Sequence, residues 1–322
     1  MFSFPAVPSL RESRIHASHP KALDMKPQAP IGCLLILLAA APARGDTLLC
    51  WKLKEGQVLA YSATLKSVTG TNVNHVDTRG EQTLAVEGTW TVSAVGPDGC
   101  AQIVQKLDRI RLDLIVPGAG DLHYDSKDGK PPAGPLGAML EPVLAAFLKG
   151  SVALRVAPSG KVTDVKLSED LAKTVKANPD AAGVIDEESA RRMAESFPSF
   201  PDEPVKTGAE WERVTTLPPP PADLEAVQKF TYEGVEKKDG KELHKLAIRS
   251  SFRIAPGKAK EGSGVVLLPG EAAGKAYFDA DLGRFEEVAT SQTLRVRIGG
   301  VNGGKSYDTT TDTTTLTRLT QK

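Results

Sequence analysis

Long stretches of the chain alternate between apolar and polar positions with a period of two. In residues 83–94 and 245–254 every second position is apolar or small, and in residues 287–298 these positions hold Val288, Thr290, Gln292, Leu294, Val296 and Ile298; Thr, Ser, Glu, Lys, Arg or Ala stand between them. Such alternation is typical of β-strands with one face on a core and one in water. These segments are about twice as long as a usual strand of five or six residues, and long strands twist and curve.

Asp-Gly dipeptides separate some of these runs. The stretches GPDGC at 96–100 and KKDGK at 237–241 each place Asp-Gly between two alternating segments. The dipeptide suits the tight turn of a hairpin, because Asp and Gly tolerate positive φ values. Consecutive hairpins predict antiparallel sheets.

The middle of the chain has helical periodicity instead. Further short helices are predicted to begin after Ser168 and Asp186, whose side chains suit helix N-termini. Together these patterns predict an α+β fold with long curved antiparallel β-strands, half-barrel-like or sandwich-like, and two or three helices inserted mid-chain. The residues that define one apolar side of the first helix are Leu136, Met139, Leu140, Val143, Leu144, Phe147 and Leu148.

This first helix has two interpretations. An amphipathic helix beside curved strands can enclose an apolar cavity, and its inner side chains would then bind a ligand. The candidate ligand-binding residues are Leu140, Leu144, Phe147 and Leu148. In the alternative, the same side chains complete a filled core.

The N-terminal region has the order of a targeting signal. Met25-Lys26 supplies a positive end, residues 31–41 are apolar and uncharged, and residues 43–45 (Ala-Arg-Gly) offer small residues to a signal peptidase. This order is typical of a secretory signal peptide. The apolar run is shorter than the about 20 residues that a membrane span needs. The alternatives are a buried apolar helix in a longer N-terminal region and an anchor that stays uncleaved.

We therefore expect four regions along the chain. Residues 1–24 are a leader that results from a mis-assigned start, and residues 25–45 are the signal peptide. Residues 46–200 hold N-terminal hairpins and the helical insertion, and residues 201–322 form a C-terminal antiparallel part packed with the first half. The mature chain then has no membrane span and is exported to the periplasm or the extracellular space.

The charge balance argues against nucleic acid as a partner. The chain has 40 basic and 40 acidic residues, and the first 45 residues hold five of the former and two of the latter. The mature chain keeps 35 basic and 38 acidic residues, a net charge near −3. Such a balance gives no long-range attraction to nucleic acid or to anionic lipid.

Two cysteines remain in the mature chain, Cys50 and Cys100. In an oxidising compartment a pair of cysteines favours a disulfide. Two buried free thiols are an equally good alternative, because the sequence gives no distance between the sulfur atoms.

No residue pattern points to catalysis. The mature sequence lacks the Gly-x-Ser-x-Gly elbow, a phosphate-binding glycine loop and Cys-x-x-Cys. His75, His123 and His244 lie far apart without metal-ligand spacing. We therefore predict no catalytic residues, no metal and no cofactor.

Threonine dominates the stretch YDTTTDTTTLT at 307–317. Threonine suits a pleated, half-exposed surface. We therefore predict an edge strand at the C-terminus. The alternative is a flat Thr-x-Thr array that orders water or carries glycans.

Four stretches together resemble an uncharacterised family of secreted bacterial proteins, known only as a domain of unknown function. They are LCWKLKEGQVLAYS (49–62), LEPVLAAFLKGSVALRVAPSGKVTDV (140–165), EPVKTGAEWERV (203–214) and GKAYFDADLGRFEEV (274–288). The resemblance covers most of residues 48–298 and implies secretion and a β-rich fold, with no activity to carry over. In architecture only, the expected half-barrel is also similar to periplasmic lipoprotein carriers.

These observations favour a non-enzymatic envelope protein that binds an apolar small molecule or an envelope protein. The alternatives are a structural or interaction module with a filled core, and a hydrolytic enzyme with no recognisable motif. An apolar-lined cavity would favour the first, a filled interior the second, and clustered carboxylates or histidines with shifted pKa values the third.

Overall fold

A computed structural model describes residues 46–73, 76–177, 187–217, 224–256, 264–299 and 306–322. The predicted leader and signal peptide, His75 and Asp186 lie outside these residues. The helices are α1 (Gly134–Lys149), α2 (Glu169–Ala177) and α3 (Glu187–Ala194), and a 3-10 turn spans Ser126–Asp128. The strands are β1 (Val58–Val73), β2 (Val76–Val95), β3 (Ala101–Val116), β4 (Gly120–Asp125), β5 (Val152–Val156), β6 (Val162–Leu167), β7 (Glu210–Leu217), β8 (Leu224–Lys238), β9 (Lys241–Ile254), β10 (Val265–Leu268), β11 (Ala272–Asp279), β12 (Arg284–Ile298) and β13 (Tyr307–Gln321).

The strands of the described residues form one antiparallel sheet that does not close. Its main path runs β6-β5-β3-β2-β1-β13-β12-β11-β9-β8-β7, while β4 pairs with β3 and β10 pairs with β12. Individual strands reach 20 residues, in β2. The predicted α+β fold, with long antiparallel strands and inserted helices, is confirmed.

The predicted Asp-Gly hairpins form. Between β8 and β9, Asp239 and Gly240 have φ values of 51° and 82°, and Lys238 pairs with Lys241 on either side of them. Positive φ at both central residues matches the right-handed twist of the flanking strands. Of the two central residues, only the glycine adopts this backbone conformation without steric cost.

The prediction of a C-terminal edge strand was wrong. Strand β13 lies inside the sheet, paired with β1 on one side and β12 on the other. Thr311, for example, lies opposite Thr69 on β1 and Leu294 on β12. Edge position depends on which distant strands pair, and local composition carries no information about that pairing.

Aromatic side chains fill the core at the lower end of the sheet, where the β11–β12 turn lies. Trp51, from the segment before β1, lies 6.2 Å from the ring of Trp90 and 5.7 Å from those of Phe197 and Phe285. Its packing is tight, because a Cβ atom on Gly160 would lie 2.5 Å from the Trp51 Nε1 atom. Such contacts between aromatic edges and faces add to the free energy gained by burying the rings.

Helix α1 runs without interruption through Pro142 and packs against β3 and α2. The helix buries Val143, Leu144 and Ala146, and Val143 and Ala146 form a small cluster with Leu171 of α2. The apolar stripe predicted for this helix therefore faces the protein, except at Met139, whose side chain is exposed.

Candidate functional site

The core-facing row of side chains continues beyond the filled core. We define the core face as the face of the sheet that carries the buried residues Leu59 and Tyr61 of β1. Because side chains alternate along a strand, Ser67, Thr69 and Thr71 lie on this same face, closer to the upper end of β1. These three residues are half-buried. The core face thus changes from apolar to hydroxyl-bearing along a single strand.

Strand β13 supplies matching hydroxyl groups. Side-chain oxygens of opposite residues form three hydrogen-bonded pairs, which we call the hydroxyl ladder. The pairs are Ser67–Thr313 at 3.3 Å, Thr69–Thr311 at 3.2 Å and Thr71–Thr309 at 3.4 Å. The ladder occupies the centre of the upper sheet, between β2 and β12.

The two faces of the central strands differ in charge. On the core face, β1, β2, β13 and the part of β12 from Glu287 to Ile298 carry no Asp, Glu, Lys or Arg at any described position. Arg284, at the lower end of β12, is buried and pairs with Glu286 at 3.2 Å. The opposite face holds ion pairs such as Arg297–Asp308 at 2.7 Å and Arg318–Glu287 at 2.9 Å. The charged residues on that opposite face are Lys66, Asp77, Arg79, Glu81, Glu87, Glu287, Arg295, Arg297, Asp308, Asp312 and Arg318.

A groove of about 420 Å³ lies on one side of the ladder, and we call it groove A. The charged group at its margin is Glu81, which is ion-paired with Arg79 at 2.9 Å. Hydroxyl groups thus line one wall of groove A and mostly apolar side chains the other. The residues lining groove A are Ser67, Thr69, Thr71, Thr78, Gly80, Glu81, Gln82, Leu114, Ile115, Val116 and Pro117.

A second groove, groove B, lies on the other side, where β9, β10 and β12 meet. Its volume is about 290 Å³, and its described lining contains no charged residue. We call groove A, the hydroxyl ladder and groove B together the trough. The residues lining groove B are Ser251, Phe252, Leu267, Leu268, Pro269, Gly270, Thr293 and Leu294.

The four predicted ligand-binding residues lie against the core instead. Leu144 is buried in the main core cluster, and Leu140, Phe147 and Leu148 are partly buried and pack against it. A cavity next to Phe147 has a volume of about 20 Å³, which is room for a single water molecule. A ligand role for these four residues stays a prediction.

Both predicted disulfide cysteines are half-buried free thiols. The sequence neighbours of the two cysteines, Trp51 and Gly99, both lie close to Pro158. The Trp51 amide donates to the Pro158 carbonyl at 2.8 Å, and Gly99 lies so near that a Cβ atom on it would be 2.9 Å from the Pro158 ring. Burial, and then a hydrogen bond with Asp98, raises the pKa of the Cys100 thiol. A pairing of Cys50 with Cys100 therefore stays a prediction.

The histidines and carboxylates of the described residues do not form a metal-binding group of three or more. His123 Nδ1 lies 2.8 Å from the Asp113 carboxylate on an exposed surface, and His244 Nδ1 lies 2.7 Å from the Tyr232 hydroxyl. Burial raises the pKa of Tyr61 to about 12, which keeps this phenol of the core face neutral.

Sequence reasoning missed the trough, although part of its signal was visible. The alternating Ser67, Thr69 and Thr71 of β1 are visible in the sequence. Their pairing with β13 is not, because 242 residues separate Thr69 from Thr311.

Comparisons with known proteins place the chain in no family. No family model matches, and no curated protein matches. Among solved structures, lipovitellin, described for its lipid–protein interactions, aligns at 12% identity and a TM-score of 0.49, over 84% of this chain and 25% of that one. The chain thus spans about a quarter of the length of the lipovitellin chain.

Two further structures align at lower scores. A DUF1329 family protein from Desulfovibrio piger is 10% identical, with a TM-score of 0.14 over 79% of this chain and 83% of that one. An outer membrane channel from Pseudomonas putida F1 is 7% identical, with a TM-score of 0.21 over 84% and 97% of the two chains. In the part of the chain that the structure describes, no helix is long and apolar enough to cross a membrane.

Proposed function

We propose that this protein is an exported, non-enzymatic binding protein of the cell envelope that holds an apolar ligand in the trough. The observation that carries the proposal is the uncharged core face, which continues past the filled core, opens into groove A and borders groove B at Leu294. Export rests on the signal-peptide order of residues 25–45, which lie outside the described residues.

The distribution of charged residues supports an apolar ligand. The transfer of a hydrocarbon chain from water to apolar surroundings is favourable, whereas an ion buried without a partner loses the free energy of its hydration. The core face around the hydroxyl ladder offers an ion no oppositely charged partner. Grooves of this size also fall near the volume range of small-molecule sites, about 300–1,000 Å³.

A second function has support of its own. The aromatic core is filled, and the cavity beside α1 holds no more than a water molecule. This observation favours a structural or interaction module, in which the trough has no small-molecule occupant.

A charge placed in the trough distinguishes the two functions. Thr313→Asp puts a carboxylate on the core face beside Ser67, while Thr314→Asp puts one on the opposite face, across from Lys66. The assay titrates each purified variant with a fluorescent long-chain acyl probe. We expect the wild type and Thr314→Asp to bind alike, and Thr313→Asp to bind at least tenfold more weakly.

Two outcomes would contradict the proposal. If the wild-type protein binds no long-chain probe, the binding function is wrong and the structural or interaction module is favoured. Equal binding by both variants would place the probe outside the trough. Circular dichroism and denaturant unfolding of each variant show whether a loss of binding reflects a loss of fold.

A further inference from the structure

The hydroxyl ladder has hydrogen-bonding capacity left over. Each rung joins two hydroxyl groups, and each hydroxyl carries one hydrogen and two acceptor lone pairs. The mutual bond of Thr69 and Thr311, at 3.2 Å, uses one of the two hydrogens of that rung. The second hydrogen and the remaining lone pairs can bond another polar group. Three consecutive rungs therefore present a row of hydroxyl groups that can each donate or accept a further hydrogen bond.

Apolar surface lies directly beside this row. In groove A the ladder residues of β1 face Leu114, Val116 and Pro117. On the other side of β13, Leu294 of β12 pairs with Thr311 and also lines groove B. A ligand with a polar end on the ladder thus has room for a hydrocarbon chain in either groove.

The absence of charged residues around the ladder restricts the chemistry of the ligand's polar end. A carboxylate or phosphate on the ladder would have no Lys or Arg on the surrounding core face of β1, β2, β13 and residues 287–298 of β12. Neutral hydroxyl groups both donate and accept, so they match the unused capacity of the rungs without the cost of an unpaired buried charge.

We infer that the ligand is an uncharged amphiphile, with a polyhydroxyl head on the hydroxyl ladder and an acyl chain in groove A or groove B. This inference rests on the proposed function, because it names the ligand class of the same trough. A glycerol head and a sugar head share the required chemistry, and separate probes distinguish them.

The test compares three fluorescent probes with the same acyl chain: a monoacylglycerol, an acyl glucoside and a fatty acid at pH 9. We expect at least one neutral probe to bind the wild type about tenfold more tightly than the fatty acid, a difference of about 1.4 kcal/mol that one or two net hydrogen bonds can supply. The tighter neutral probe shows whether the head is a glycerol or a sugar.

The double variant Thr69→Val/Thr311→Val removes one rung and keeps the shape of both side chains. We expect it to reduce the preference for the neutral probe to threefold or less, with unchanged affinity for the fatty acid. Thr314→Val, on the opposite face of β13, is the matched control and keeps the full preference.

The outcomes separate this inference from the proposed function. If no probe binds the wild type, the proposed function fails. If all probes bind equally, or the fatty acid binds best, the trough holds an apolar chain and the inference about the head is wrong. If the double variant keeps the full preference, the ladder does not hold the head, which also overturns the inference.

Discussion

Thr69 and Thr311 are 242 positions apart in the sequence, and their hydroxyl oxygens lie 3.2 Å apart at the centre of the sheet. This contact exists because β1 and β13, the first and last strands, pair along their whole length. The pairing places Ser67, Thr69 and Thr71 on the same face as Thr309, Thr311 and Thr313. The same face of β1 carries the filled core at its lower end, with Leu59 and Tyr61 buried.

The first prediction concerns that core. Trp51→Ala should lower the free energy of unfolding by about 3–5 kcal/mol, because the indole is 6% exposed and contacts three aromatic rings. Leu48→Ala, three residues earlier and 52% exposed, should change it by less than about 0.5 kcal/mol. Urea unfolding of both variants measures the difference. Equal effects would mean that the N-terminal segment does not pack on the core.

The second prediction separates the core from a ligand site at α1. Leu144→Ala should lower the free energy of unfolding by about 2–5 kcal/mol, since Leu144 is buried in the main cluster. Phe147→Ala should also destabilise the fold, and neither variant should weaken probe binding in the trough. Met139→Ala, at an exposed position of the same helix, is the control. If Phe147→Ala lost probe affinity while its stability stayed unchanged, the ligand site would lie at α1 and not in the trough.

The third prediction concerns the stability of the fold at low pH. The Arg109 guanidinium, which donates to Asp125 Oδ1 at 3.0 Å, and then the Lys127 amide hold the pKa of Asp125 at about 2, below its ordinary 3.8. Because the folded pKa is depressed, Asp125 stabilises the fold above about pH 4, and this contribution disappears as the pH falls toward 2. Asp125→Asn should therefore be less stable than wild type at pH 5, and the gap should close near pH 2.

Urea unfolding across this pH range measures the effect. Asp128→Asn, an exposed carboxylate in the adjoining 3-10 turn, controls for the loss of one negative charge. A stability gap for Asp125→Asn that stays constant from pH 5 to pH 2 would show that the ion pair does not cause it.

The fourth prediction concerns Cys50 and Cys100. If they pair in an oxidising compartment, the bridge closes a loop of about 50 residues and stabilises the fold by about 4 kcal/mol in the chain-entropy model. Thiol counting on denatured, unreduced protein from that compartment should then find no free thiol. Two free thiols would rule the bridge out and agree with the thiols of the structure.

Much of the fold follows from local sequence. Alternation at 83–94, 245–254 and 287–298 predicts β2, β9 and β12, because the pleat puts every second side chain on the core. Asp239-Gly240 predicts the β8–β9 turn for a reason equally local, the positive φ of both residues.

The candidate site did not follow in this way. Whether the threonines of β13 lie at an edge or in the centre depends on the pairing of β13 with β1, and no local pattern encodes a contact across the whole chain. Phe197 and Phe285 likewise meet Trp51 only because three distant segments pack together. The helix at α1 was predicted correctly, but periodicity cannot tell a cavity wall from a filled core.

The most direct test of ligand binding in the trough locates a bound ligand on the protein. A neutral monoacylglycerol with a photoreactive diazirine in its acyl chain is cross-linked to the full chain, and the labelled peptides are identified by mass spectrometry. If the ligand lies in the trough, we expect labels at the end of β3, near Leu114 and Pro117, or in β10 and β12, near Leu267 and Leu294. Labels on α1 at Leu140 or Phe147, or no saturable labelling, would contradict it.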